Sequence, residues 1–190
     1  MQKFDSSFIG SFKLGDNINY NLKILGRLYE YYESSSRDKK HLLHKPIIVI
    51  ISSIIEAILY DFYNRAKLHT REGIANIGIE ILTHIRSEKG LSKFGRYIAT
   101  AEKHDLFAGM GANFYNDLKE LSKIRNRVHI QNDKKEFEAD DQYAFNSTRK
   151  RLAERTLEGV MRIMAERHPR GKGIRGHVAD FHLPWPTAAE

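Results

Sequence analysis

A run of thirteen residues, from Ile47 to Leu59, carries only one charged side chain, that of Glu56. The run is shorter than the roughly 20 apolar residues that a membrane-spanning helix needs, and Glu56 interrupts it. Its apolar residues continue at helical spacing through Phe62. The chain is therefore predicted to fold around a central helix that is buried on most sides, without a membrane span.

The rest of the chain is also predicted to be helical. Apolar periodicity indicates helices over residues 17–34, 46–67, 93–104, 113–129 and 145–168, with a short helix over 74–85. Asp16 or Asn17 is expected to cap the first helix, and Pro46 suits the first turn of the central one. No segment predicts a strand. The fold class is therefore all-α, a bundle of four to five main helices.

A chain of 190 residues is expected to form one domain. Residues 1–16 show no periodicity and are expected to form a loose N-terminal arm, followed by the helical domain over 17–170. Residues 171–190 are basic and contain Gly and Pro, which predicts a flexible, extended tail, although Phe181 and Trp185 could dock on the domain.

Composition excludes several classes of protein. The absence of cysteine rules out disulfides, thiolate metal sites and a Cys nucleophile. The N-terminus does not resemble a secretory signal, so a cytoplasmic protein is expected. A net charge of +7, from 31 Lys and Arg against 24 Asp and Glu, is compatible with binding to a phosphate backbone.

The strongest functional signal is the segment from Leu121 to Ile130, which reads LSKIRNRVHI. At about 100° per residue, Arg125 falls on the apolar arc of the predicted helix and His129 lies at its edge. A cation on an apolar arc must be paired or functional, because burial of an unpaired charge is costly. Residues four apart share a helix face, so Arg125 and His129 are predicted to meet. The alternative is a chance pairing of last-turn cations that complement the helix dipole.

This segment resembles the signature helix of the HEPN superfamily (higher eukaryotes and prokaryotes nucleotide-binding domains). Arg125 matches the Arg of the family motif, Asn126 the polar residue after it, and His129 the His, although the gap of three residues is shorter than usual. The helix with Ser53 and Glu56 resembles the one that packs beside the motif. The resemblance covers residues 17–170 and implies an all-α bundle, a metal-independent ribonuclease activity and a homodimer with a composite cleft.

The residue types suit RNA cleavage. His129 can act as an acid or a base near neutral pH, and Arg125 can stabilise the charge of the phosphate. Asn126 can orient the phosphate or His129 by hydrogen bonding. The resemblance implies products with 2′,3′-cyclic phosphate ends. Arg127 points away from the arc, toward solvent or RNA phosphate. Glu56 and Arg127 are the candidate substrate-binding residues. Glu56 also needs a partner, and Arg125 is the proposed one, in either a structural or a catalytic salt bridge.

Other candidates are weaker. His104, His168, His177 and His182 lack metal-ligand spacing, and the pair Asp140 and Asp141 suits a helix N-cap better than a Mg²⁺ site. We therefore expect no metal and no cofactor. Tyr29, Tyr31 and Tyr32 could stack on bases, although such aromatics are more often half-buried packing.

The sequence thus predicts a metal-independent endoribonuclease that acts on RNA as a homodimer. By family analogy it would serve bacterial defence or a toxin–antitoxin system. The first alternative is a non-catalytic module that binds a nucleotide or a partner, such as an antitoxin or a nucleotidyltransferase. The second is a structural bundle whose basic surface binds nucleic acid without turnover.

Overall fold

The computed structural model describes residues 2–68, 74–88, 92–128, 140–174 and 178–186. These residues form seven helices and one two-stranded sheet, which confirms the all-α class. The helices are α1 (Phe12–Ser34), α2 (Arg37–Leu68), α3 (Ile79–Ser87), α4 (Phe94–Lys103), α5 (Ala112–Asn126), α6 (Asp141–Ala144) and α7 (Ser147–Arg167). Strands β1 (Lys3–Phe4) and β2 (Phe181–His182) pair antiparallel and join the two ends of the chain.

Helix α2 is the centre of the bundle, as the apolar run predicts. It packs against all six other helices and fully buries the side chains of Ile47, Ile51 and Ile55. It is also the one helix in the described part of the chain that is long and apolar enough to cross a membrane. Half of its most apolar window is buried inside the protein, which is typical of a core helix.

Two helix starts differ from the sequence prediction. Helix α1 begins at Phe12, because the Ser11 hydroxyl accepts a hydrogen bond from the Leu14 N–H and caps the helix there. Helix α2 begins at Arg37, so Pro46 lies inside it rather than in its first turn. Pro46 is tolerated there on the outer side of the helix, where it is only half-buried.

The two ends of the chain are packed where they are described, in contrast to the expected loose arm and flexible tail. Phe8 and Ile9 are buried near the start of the chain, and Phe181 and Trp185 near its end. The rings of Phe8 and Phe181 pack at 5.8 Å, and the Ser6 hydroxyl donates to the Val178 carbonyl. Apolar residues separated by most of the sequence therefore complete one core, which a local reading of either end does not reveal.

Two glycines of α1 give an opposed pair of stability predictions. A Cβ at Gly15 would lie 2.4 Å from Val178 Cγ1, whereas a Cβ at Gly26 would lie 4.0 Å from Pro184 Cβ. We expect Gly15→Ala to lower the free energy of unfolding by about 1–2 kcal/mol through overpacking. Gly26→Ala should raise it by about 0.5–1 kcal/mol, because alanine favours the helix. Urea unfolding measures both changes, and equal effects at the two positions would contradict this packing of the C-terminal segment.

Buried His168 lies between two carbonyl groups. Its Nδ1 is 3.1 Å from the Ala75 oxygen and its Nε2 is 3.2 Å from the Leu106 oxygen. Burial lowers the pKa of His168 and the nearby charge of Arg65 acts in the same direction, although the two carbonyls oppose the shift. The neutral imidazole is therefore favoured in the folded protein.

The pKa values of His44 and His104 are also lowered, chiefly by burial, so all three imidazoles affect stability in the same direction. As the pH falls through the ordinary His pKa of about 6.5, the unfolded chain takes up protons that the folded protein resists. The free energy of unfolding should therefore fall between pH 7 and pH 5.5. Urea midpoints across this range test the sign, and a rise toward pH 5.5 would contradict it.

Candidate functional site

Arg125 and Glu56 form an ion pair at the C-terminal end of α5. Arg125 lies on the core-facing arc of α5, in line with Leu118 and Leu121, and its Nη2 is 2.7 Å from Glu56 Oε2 on α2. The side chains remain 38% and 22% exposed. The predicted pairing of Glu56 with Arg125 is therefore confirmed, and the pair lies at an open edge of the core.

Tyrosines border this pair. Tyr60 follows Glu56 by one turn of α2 and is 47% exposed. Burial raises the pKa of the Tyr97 phenol on α4, and the negative charge of Glu56 acts in the same direction. Tyr97 stacks on Tyr63 at 5.3 Å, and the Tyr63 hydroxyl donates to the Tyr97 carbonyl. These tyrosines were not predicted as part of the site, although Tyr60 lies four residues from Glu56 on the same helix face.

Helix α5 ends at Asn126, three residues before its predicted end. Asn126 is exposed, and Val128 is 43% exposed. The N–H groups of Arg127 and Val128 close the last turn on the carbonyls of Ile124 and Arg125. His129 lies outside the described residues, so its predicted meeting with Arg125 stays a prediction from the sequence.

Arg127 is buried, which corrects the prediction that it faces solvent or RNA phosphate. It is 4% exposed, and its Nε donates to Asp141 Oδ1 at 2.9 Å. Lys45 donates to the other oxygen of Asp141 at 2.6 Å. The prediction failed because α5 stops at Asn126 and α6 brings Asp141 to its end. Arg127 therefore joins α5 and α6 and is removed from the substrate-binding candidates.

Asp141 gains a role that the sequence did not suggest. Burial alone would raise its pKa, but the hydrogen bonds from Lys45 and Arg127 outweigh that effect and hold the pKa below the ordinary value. Asp140 occupies the N-cap position of α6 without a side-chain capping bond. Within the described ranges, no group of three His, Cys, Asp or Glu residues could hold a metal ion.

The described histidines among the metal-ligand candidates lie on different elements. His168 is buried between carbonyls, as described above, and His104 ends α4, where its ring meets that of His84 at 4.9 Å. His182 is exposed on β2, and His177 lies outside the described residues. Those histidines that the structure describes therefore do not meet at one site.

Comparison of the chain with protein-family models, with curated proteins and with solved structures finds no match.

Proposed function

We propose that this protein is a HEPN-like, metal-independent endoribonuclease that acts as a homodimer. The observation that supports it is the Arg125–Glu56 ion pair, which holds a guanidinium at the open edge of the core, 2.7 Å from its carboxylate partner. The motif residues Asn126 and His129 follow Arg125 in the sequence. The activity, the HEPN relationship and a cytoplasmic role in bacterial defence or a toxin–antitoxin system all belong to this proposal.

The proposed reaction is transesterification within RNA. A base removes the proton of a 2′-hydroxyl, and O2′ forms a bond to the adjacent phosphorus. The bond from phosphorus to O5′ breaks, and an acid protonates the leaving O5′. The products are a 2′,3′-cyclic phosphate and a 5′-hydroxyl. His129 supplies the acid or the base, and Arg125 stabilises the charge that grows on the phosphate oxygens.

Glu56 has a positioning role in this proposal. Its carboxylate contacts Nη2 of Arg125, and a guanidinium carries five N–H donors in a planar fork. The remaining donors can bind a phosphate while Glu56 fixes the plane of the fork. Glu56 is therefore assigned to the orientation of Arg125 rather than to direct contact with RNA.

The outer face of α2 supports the proposed homodimer. Leu42, Pro46, Val49, Ile50, Ser53, Ala57 and Tyr60 are uncharged, and all are exposed or half-buried. Several recur at alternating spacings of four and three residues, which is the pattern of a helix–helix seam. Glu56 lies at the edge of this face. An uncharged face can pack on its own copy without like-charge repulsion, and a two-fold axis there would bring two Arg125–Glu56 pairs together.

The dimer can be tested separately from the activity. We expect the 22.0 kDa chain to scatter light as a dimer at micromolar concentration, and Val49→Asp to make it a folded monomer, because a buried unpaired carboxylate opposes association. Tyr20→Asp is the control, since Tyr20 is 65% exposed on α1. A monomeric wild type, or a dimeric Val49→Asp variant, would contradict the assignment of this face.

Incubation of RNA with the protein in excess EDTA tests the activity itself, and cleavage with cyclic phosphate ends is the expected result. The alternative is a non-catalytic module in which Arg125 and Glu56 only tie α5 to α2. The neutralisation of Arg125 by Glu56 favours that alternative. Absence of cleavage would select it.

A further inference from the structure

A cleft of about 490 Å³ lies between α1, α7 and the C-terminal segment. We call it the terminal cleft, and its lining includes Tyr29, Tyr32, Lys150, Arg151, Glu158 and Trp185. It shares no residue with the Arg125–Glu56 site. Its volume falls within the range of small-molecule sites, and its walls combine aromatic rings with a few polar groups, as such sites do.

The interior of the terminal cleft is a fixed polar network. Lys150 is 8% exposed and donates to Glu154 Oε1 at 2.6 Å. Its ammonium also lies 5.0 Å from the ring centre of Tyr29 and 4.8 Å from that of Tyr32. The Tyr29 hydroxyl donates to the same carboxylate. Because Lys150, Tyr29 and Glu154 hold one another, the cleft is preorganised for a ligand.

The outer part of the terminal cleft carries both positively and negatively charged side chains. Arg151 is exposed at its mouth, one turn of α7 before Arg155. Glu158 accepts a hydrogen bond from the Trp185 indole N–H through Oε1 at 2.6 Å. Each carboxylate oxygen has two lone pairs, so Oε2 and the second lone pair of Oε1 remain as acceptors that Glu158 can offer to a ligand. Trp185 in turn packs on Tyr29 at 5.2 Å, which fixes this wall.

We propose that the terminal cleft binds a guanine nucleotide. The planar base would lie among the rings of Tyr32 and Trp185, where aromatic walls replace water. A carboxylate such as Glu158 accepts from base N–H groups, and guanine presents two adjacent N–H donors on one edge. The phosphate would pair with Arg151 at the mouth. A uracil edge presents one such donor and is therefore the weaker ligand.

The nucleotide could be free or part of single-stranded RNA, and both carry the same chemistry. The RNA source rests on the proposed function, because it would place a base of the substrate outside the cleavage site. Binding of a free nucleotide does not depend on the proposed function. The two sources are separated by comparing GMP with 2′-O-methyl oligoribonucleotides, which lack the hydroxyl that cleavage needs.

Trp185 makes this site directly measurable, because it is the only tryptophan in the chain. Its fluorescence should be quenched saturably by GMP, when it is excited at a wavelength where the correction for nucleotide absorbance is small. The dissociation constant for UMP should be at least about fivefold higher than that for GMP. Inorganic phosphate should not quench. Tighter binding of a guanine-containing oligomer than of GMP would identify RNA as the source, and equal binding would identify the free nucleotide.

Two variants and one control complete the test. Arg151→Ala and Tyr32→Ala should each weaken GMP binding at least about fivefold, and exposed Arg151 can be replaced without disturbing the core. Lys13→Ala on α1 should leave binding unchanged, since Lys13 is exposed and does not line the cleft. Absence of saturable quenching, equal affinity for GMP and UMP, or full binding by Arg151→Ala would overturn the proposal. The Arg125→Ala variant should bind GMP as the wild type does. Failure of the nucleotide-binding proposal can therefore be distinguished from failure of the ribonuclease proposal.

Discussion

Replacement of Arg125 by alanine is expected to lower the rate of RNA cleavage by about a hundredfold to a thousandfold, which is the typical cost of removing one donor to a developing oxyanion. The fold should survive. Arg125 and Glu56 are 38% and 22% exposed, and an ion pair this open adds at most about 1 kcal/mol to stability. The change thus separates a catalytic role from a structural one.

Matched variants sharpen this prediction. Lys123→Ala removes an exposed charge from the same helix and should leave the rate within about twofold. Glu56→Gln keeps the shape of the side chain and releases Arg125, so an intermediate loss is expected. His129→Ala should abolish cleavage with the dimer intact. Unchanged cleavage by a folded Arg125→Ala or His129→Ala dimer would remove that residue from the catalytic assignment.

The largest stability change is expected at Asp61 on α2. Asp61 is 4% exposed and accepts hydrogen bonds from the backbone N–H groups of Gly10 at 2.6 Å and Ser11 at 3.0 Å. Burial raises the pKa of this carboxyl, while those two bonds and the charges of Arg65 and Arg170 act against the shift. Asp61→Ala would remove the acceptor that holds the start of α1 and the negative charge beside buried Arg65.

We expect Asp61→Ala to lower the free energy of unfolding by about 3–5 kcal/mol, as measured by urea unfolding at pH 7. Asp61→Asn keeps one carbonyl acceptor and should cost less. Asp38→Ala is the control, because Asp38 is exposed on the same helix and should change stability by less than about 0.5 kcal/mol. A loss below about 1 kcal/mol for Asp61→Ala would show that the N-terminal segment is held by its apolar residues alone.

Local periodicity was enough to predict the helical class and the central position of α2. The apolar run from Ile47 to Leu59 had to be buried, and the other helices pack against it. Contacts between distant parts of the chain could not be predicted in this way. Asp61 holds the backbone just before α1 through Gly10, and Phe181 lies on the strand that pairs with β1. Such contacts leave no local pattern.

The candidate site was predicted only in part, because some of its contacts also join distant parts of the chain. Arg125 on an apolar arc needs a partner, and Glu56 on an apolar helix needs one too, so their pairing followed from the cost of burying charge. Arg127 was placed wrongly because the prediction assumed that α5 continues to His129. The last turn instead closes at Asn126, and Asp141 reaches Arg127 from another element.

The most direct measurement is the cleavage of RNA by the purified wild-type protein in excess EDTA, with chemical analysis of the product ends. A metal-independent ribonuclease of the proposed kind leaves 2′,3′-cyclic phosphate and 5′-hydroxyl ends under these conditions. Cleavage that EDTA abolishes, or products that carry 5′-phosphate ends, would contradict the proposed mechanism, and intact RNA would contradict the activity and leave Arg125–Glu56 as a structural pair.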